Sequence, residues 1–192
     1  MNLELQRELL AMREADLRVR DELAQAGGLD SGYHPRMELV HRQNAERLRA
    51  IVGEHGWPGT ALVGADGAEA AWLVVQHSIG EPGMQREYLP LLLEAATRGE
   101  IPRWQPAYLA DRICFFEGRP QLYGTHSDWN DEGLMAIYTL DAPERVNELR
   151  AGVGLPPLDL SKTISDQRIP PEKLAHHREQ MNAWAKSVGW RK

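Results

Sequence analysis

The sequence predicts a mainly α-helical protein of the α+β kind, with about seven helices and one small antiparallel β-hairpin. Three observations carry this. Apolar residues recur at helical spacing over most of the chain. Gly and Pro clusters cut that pattern into helix-length pieces. Only between residues 121 and 140 does it change to two short apolar runs around a polar loop.

Leu3 to Ala26 reads as the first helix, with Leu5, Leu9, Met12 and Leu17 to Leu23 at helical spacing, Asn2 as its cap and Gly27-Gly28 as its stop. A second helix should run from Pro35 to Glu54, with Leu39/Val40, Leu48, Ile51 and Val52 on its face. These two could form an antiparallel hairpin. After the Gly56-Trp57-Pro58-Gly59 turn, Asp66 looks like the cap of a third helix, Gly67 to Ser78, with Ala68, Ala71, Trp72 and Val75 as its stripe. The fourth helix, Met84 to Arg98, contains Pro90, which predicts a kink or a late start. The fifth spans about Pro106 to Phe116. Gln121–His126 and Leu134–Leu140 read as the two strands of the hairpin, joined by the turn-rich loop 127–133. Asp141 caps a sixth helix that ends near Gly152–Gly154. Residues 155–169 look irregular, and the last helix runs from Pro171 to Val188. The expected organisation is an N-terminal helical extension (1–34), a core with the hairpin (35–160), and a C-terminal linker and helix packing on the core (161–192).

The 192 residues are enough for a core without covalent staples. A formal charge of −6 argues against broad nucleic-acid binding. The single cysteine, Cys114, excludes an intrachain disulfide and a cysteine zinc cluster. The charged N-terminus does not read as a secretory signal, and the longest apolar run is far short of a membrane span. The expectation is a soluble cytoplasmic protein without nucleic-acid or membrane partners, whose outer helices could carry a homodimer contact.

Five blocks carry a resemblance: Gly56-Trp57-Pro58; Gly64 followed by Ala71-Trp72-Leu73-Val74-Val75-Gln76-His77; Tyr108-Leu109-Ala110-Asp111-Arg112-Ile113; Gln121-Leu122-Tyr123-Gly124-Thr125; and Val153-Gly154-Leu155-Pro156-Pro157. In this order the chain from Gly56 to Leu158 resembles a bacterial family of unknown function. The family's pattern has Gln after Tyr-Gly-Thr, where this chain has His126. The resemblance implies that Gln76, His77, Asp111, Arg112, Gln121, Tyr123 and Thr125 occupy the family's characteristic polar positions. It implies no reaction, substrate or cofactor.

His77, at a helix end, suits an acid/base role, or equally a cap on the last carbonyls. Asp111 could orient His77 or His126, or tie its helix to a strand by a structural bond. Arg112 could clamp a carboxylate or phosphate. Alternation along a strand would put Gln121, Tyr123 and Thr125 on one face, lining a polar pocket or facing solvent. Trp129 is the best aromatic candidate for a pocket lid. A metal on His77 and His126 would need a third ligand such as Asp111, Asp128 or Asp131; no HExxH spacing exists, and neither metal nor cofactor is expected. The lead expectation is a small bacterial enzyme of hydrolase or lyase type on a small anionic substrate. His77 and His126 would be its acid/base groups and Asp111 the orienter. Arg112, Gln76, Gln121, Tyr123, Thr125 and Trp129 would hold the substrate. The competing expectation is a non-catalytic binding or interaction module whose polar cluster is structural.

Overall fold

A computed structural model describes residues 1–27, 32–162 and 164–192. It divides into two compact units, Met1–Gln105 and Pro106–Lys192. The expected borders at 34 and 160 fall inside these units. The protein is mainly α, and no helix among the described residues is long and apolar enough to cross a membrane.

The first unit holds α1 (Leu3–Gln25), α2 (Pro35–His55), α3 (Thr60–His77) and α4 (Pro82–Thr97). The Asn2 side chain accepts from Leu5 N at 3.1 Å and starts α1 as expected. Gly28, part of the expected stop, lies outside the described residues. The buried stripe of α1 is Leu5, Leu9, Met12, Asp16 and Leu23, and it packs chiefly on α3. Leu17 falls off that stripe and is exposed. On α2 the stripe is Met37, His41, Asn44, Ala45, Leu48 and Ile51. Leu39, expected there, is exposed. Asn44 Nδ2 donates to Met12 O at 3.0 Å and links the two helices in their buried seam.

α3 starts seven residues earlier than the sequence suggested. At Gly64 the φ of 71° and ψ of 172° are non-helical, so Thr60–His77 is two helical pieces joined across a kink, and the second begins close to the expected start. The positive φ is what demands glycine there, since the nearest atom to an added side chain, Gln6 Nε2 at 2.8 Å, is the end of a flexible side chain. Asp66 therefore lies inside helical structure and caps nothing. Pro90 lies inside α4.

The second unit holds most of α5 (Trp104–Glu117), a three-stranded antiparallel sheet, a 3-10 turn (Pro143–Arg145), α6 (Val146–Gly152) and α7 (Pro171–Ser187). The sheet order is β1 (Ser127–Trp129), β2 (Leu134–Ile137), β3 (Ser165–Arg168). Ser127 faces Ile137 and Trp129 faces Met135, so the hairpin exists, but its first strand occupies the expected loop. Asn130 makes the turn, its Oδ1 accepting from Glu132 N and Leu134 N. β3 arises in the stretch read as irregular and pairs with β2 through a register shift at Leu134/Met135. The sixth helix starts late, after the 3-10 turn, without a side-chain cap. Phe115, Phe116, Tyr138, Trp184 and Trp190 form an aromatic core, with Phe116 stacked on Trp190 at 5.4 Å. Arg191 closes α5 by donating to the Phe116 and Phe115 carbonyls at 2.8 and 3.1 Å.

Candidate functional site

Residues 121–126 do not form the expected strand. Gln121 makes a single bridge with Leu140, and Gly124 turns into the left-handed region at φ 64°. The amides that a ladder would use go to Asp111. Its Oδ1 accepts from Leu122 N and Tyr123 N, and its Oδ2 from Tyr123 N, Thr125 N and Thr125 Oγ1, all at 2.8–3.1 Å. Ionised carboxylates bind such amide clusters well, and this one is fully buried. Gln121 clamps the other end of the loop. Its Nε2 donates to His126 O and Tyr138 O, and its Oε1 accepts from His126 N. Arg150 adds a bond from Nη1 to Tyr123 O at 2.7 Å. The polar residues of this segment thus fold a compact loop, and the expected common face of Gln121, Tyr123 and Thr125 does not form. Asp111 orients backbone amides, not an imidazole.

The His126 ring packs on Phe115 with centroids 4.2 Å apart. Its pKa is lowered to about 3, first by burial and then by the Arg112 guanidinium. It is therefore a neutral imidazole near pH 7. Arg112 Nε is buried with no hydrogen-bond partner among the described residues, and burial lowers the group to about 10. Trp129 lines an open cleft of about 530 Å³ between the sheet and α7, with Asp128, Tyr138, His177 and Arg178.

The first unit gathers a second set of polar groups. Asp16 of α1 is 1% exposed and faces two imidazoles. His77, half-buried at the end of α3, donates from Nδ1 to Asp16 Oδ2 at 2.8 Å. His41 of α2 brings Nε2 to 3.4 Å from the same oxygen, and its Nδ1 is hydrogen-bonded to Tyr33 Oη at 2.8 Å. The His41 and His77 rings lie 5.4 Å apart, and the Tyr33 and His41 rings stack at 5.7 Å. Burial alone would raise the Asp16 carboxyl. The facing His41 and His77 outweigh it and hold Asp16 well below the usual carboxylate range. Tyr33 is pushed above the usual phenol value by burial and then by Glu38, Asp16 and Glu81, which keeps its hydroxyl protonated. The donor atoms of Asp16, His41 and His77 all lie within 4.8 Å of one another.

A family model described as a family of unknown function (DUF6624) matches residues 3–167. The chain belongs to that family. No curated protein and no solved structure matches it. The DUF6624 match takes in α1 and α2, and so includes Asp16 and His41, whereas α7 lies beyond it.

Of the residues singled out from the sequence, His77 and the buried Gln76 belong to the first unit of this DUF6624 chain. Asp111, Arg112, Gln121, Tyr123, Thr125, His126 and Trp129 belong to the second. Sequence reasoning missed Asp16, His41 and Tyr33. A signal existed for two of them. Asp16 continues the Leu5, Leu9, Met12 stripe, and His41 sits four residues after Met37 and seven before Leu48. An ionisable residue on a buried stripe needs a partner, and each of these has the other.

Proposed function

We propose that this chain is a small enzyme of hydrolase or lyase type whose chemistry centres on Asp16, His41 and His77. His77 is the acid/base group that was read from sequence, and Asp16 takes the orienting role expected of Asp111. One observation carries the reading: a fully buried carboxylate serves two imidazoles from two other helices. Burying that charge is costly, and packing alone would be served as well by apolar residues. Such arrangements concentrate where proton transfer is needed. A carboxylate on Nδ1 fixes the tautomer and strengthens the imidazole as a base at Nε2. In the second unit we assign Arg112 to an anionic ligand, because its buried Nε has no hydrogen-bond partner among the described residues. The setting we propose is the bacterial cytoplasm.

The test is a screen of the purified full chain against phosphomonoesters, carboxylic esters, amides and small hydroxy or amino acids. Any turnover found should fall about 10²–10⁴-fold in Asp16→Asn and His77→Gln, the usual worth of a positioned acid/base group. Both variants should keep the far-UV circular dichroism of the parent. Turnover that survives in both variants would refute the assignment.

A second reading, a non-catalytic binding or interaction module, draws support from the second unit. There Asp111 and Gln121 are wholly engaged in holding their own loop. It gains if the screen yields no turnover and Asp16→Asn lowers only stability.

A further inference from the structure

We infer that Asp16, His41 and His77 form a binding site for one divalent transition-metal ion of the zinc class. The inference rests on the reading of this cluster as the reactive centre and specifies what holds it together. One donor atom from each residue lies within 4.8 Å of the others. Ligands at about 2.0–2.1 Å around a tetrahedral ion stand about 3.3–3.4 Å apart, so closing on an ion needs shifts of about an ångström. Two of the contacts are already 2.8 and 3.4 Å.

Two atoms of the cluster favour a cation here. Asp16 Oδ1 is buried with no hydrogen-bond partner among the described residues, and the buried His41 Nε2 makes no hydrogen bond, only its 3.4 Å approach to Asp16 Oδ2. Their residues are 1% and 8% exposed, so bulk water is a poor substitute. A cation between the carboxylate and the rings would satisfy both lone pairs. Tyr33 supplies the outer support that metal-bound histidines need: its hydroxyl on Nδ1 leaves His41 Nε2 facing Asp16. Two imidazoles and one carboxylate favour zinc-class ions over magnesium or calcium, which prefer oxygen ligands. Three protein ligands leave a coordination position for a water. In the metal-loaded protein His77 is a ligand, and the proton to be moved is that of the bound water.

The experiment uses the full chain, stripped with chelator and dialysed against Zn²⁺ or Mg²⁺. Elemental analysis should find one Zn²⁺ per chain, and Zn²⁺ but not Mg²⁺ should raise the melting temperature. His77→Gln and Asp16→Asn should each weaken Zn²⁺ binding at least about a hundredfold, beyond the 10–100-fold that loss of an outer partner costs. Joint replacement of His55, His176 and His177 should leave it unchanged. X-ray absorption of the loaded wild-type protein should show two imidazoles and a carboxylate, a readout that needs no variant to fold. Folded wild-type protein that takes up no more Zn²⁺ than His77→Gln would overturn the inference. Stoichiometric Zn²⁺ without turnover would sink the enzyme reading alone, and turnover that persists in chelator without Zn²⁺ uptake would sink the metal site alone.

Discussion

Acid should unfold the second unit through His126, and the size of the effect follows from its surroundings. Folded, the imidazole has a pKa of about 3; unfolded, it returns to about 6.5. The unfolded chain therefore binds the extra proton between those values, and stability falls as pH falls. His126 contributes its full share above pH 6.5 and loses it progressively toward pH 3. Each pH unit inside that window is worth about 1.4 kcal/mol, so between pH 7 and 4.5 the loss is about 2.5 kcal/mol. Asp16 shifts in the opposite range. Its folded pKa lies below 3.8, so its stabilising share is lost only as pH drops through and below that value. His126→Leu keeps an apolar contact with Phe115 and removes the titration. Urea unfolding of both proteins at pH 7, 5.5 and 4.5, followed by tryptophan fluorescence, gives the difference in slope. Trp184 and Trp190 report from the same aromatic core, since both pack on Phe116. The other histidines cancel in the comparison. Parallel stability curves for the two proteins, or an NMR titration of His126 near 6.5, would refute the reasoning.

The loop of residues 121–126 offers two further checks. Asp111→Asn replaces an acceptor-only group with one that turns a donor toward the amides of Leu122, Tyr123 and Thr125; a loss of about 2–4 kcal/mol is expected by urea unfolding, with slowed loop protection lost in hydrogen exchange. Gly124→Ala forces a side chain into positive φ and to 2.5 Å from Leu158 Cδ1, and should cost at least about 1–2 kcal/mol; Leu158→Ala in the same chain should return part of that loss by removing the clash.

Much of the fold was legible because helices announce themselves locally. The Asn2 cap, the Leu5–Leu9–Met12 stripe, and the start of α2 at Pro35 and of α7 at Pro171 depend on residues within a turn or two of one another. The short strands were harder. Gln121–His126 alternates like a strand, yet the competing partner for its amides is Asp111, ten residues upstream on a helix. β3 has no apolar alternation of its own and exists because β2 offers an edge.

The same division holds for the candidate site. His77 stood out at a helix end, a local feature. That its carboxylate partner is Asp16, sixty-one positions away, and that His41 and Tyr33 join them, depends on how α1, α2 and α3 pack. Sequence alone settles which residue types lie on which helical face, because the period of the helix is fixed by backbone geometry. Which faces meet, and at what height along their axes, is decided by the packing of side chains distant in the chain, and proton transfer or metal binding is sensitive to that height at the ångström scale.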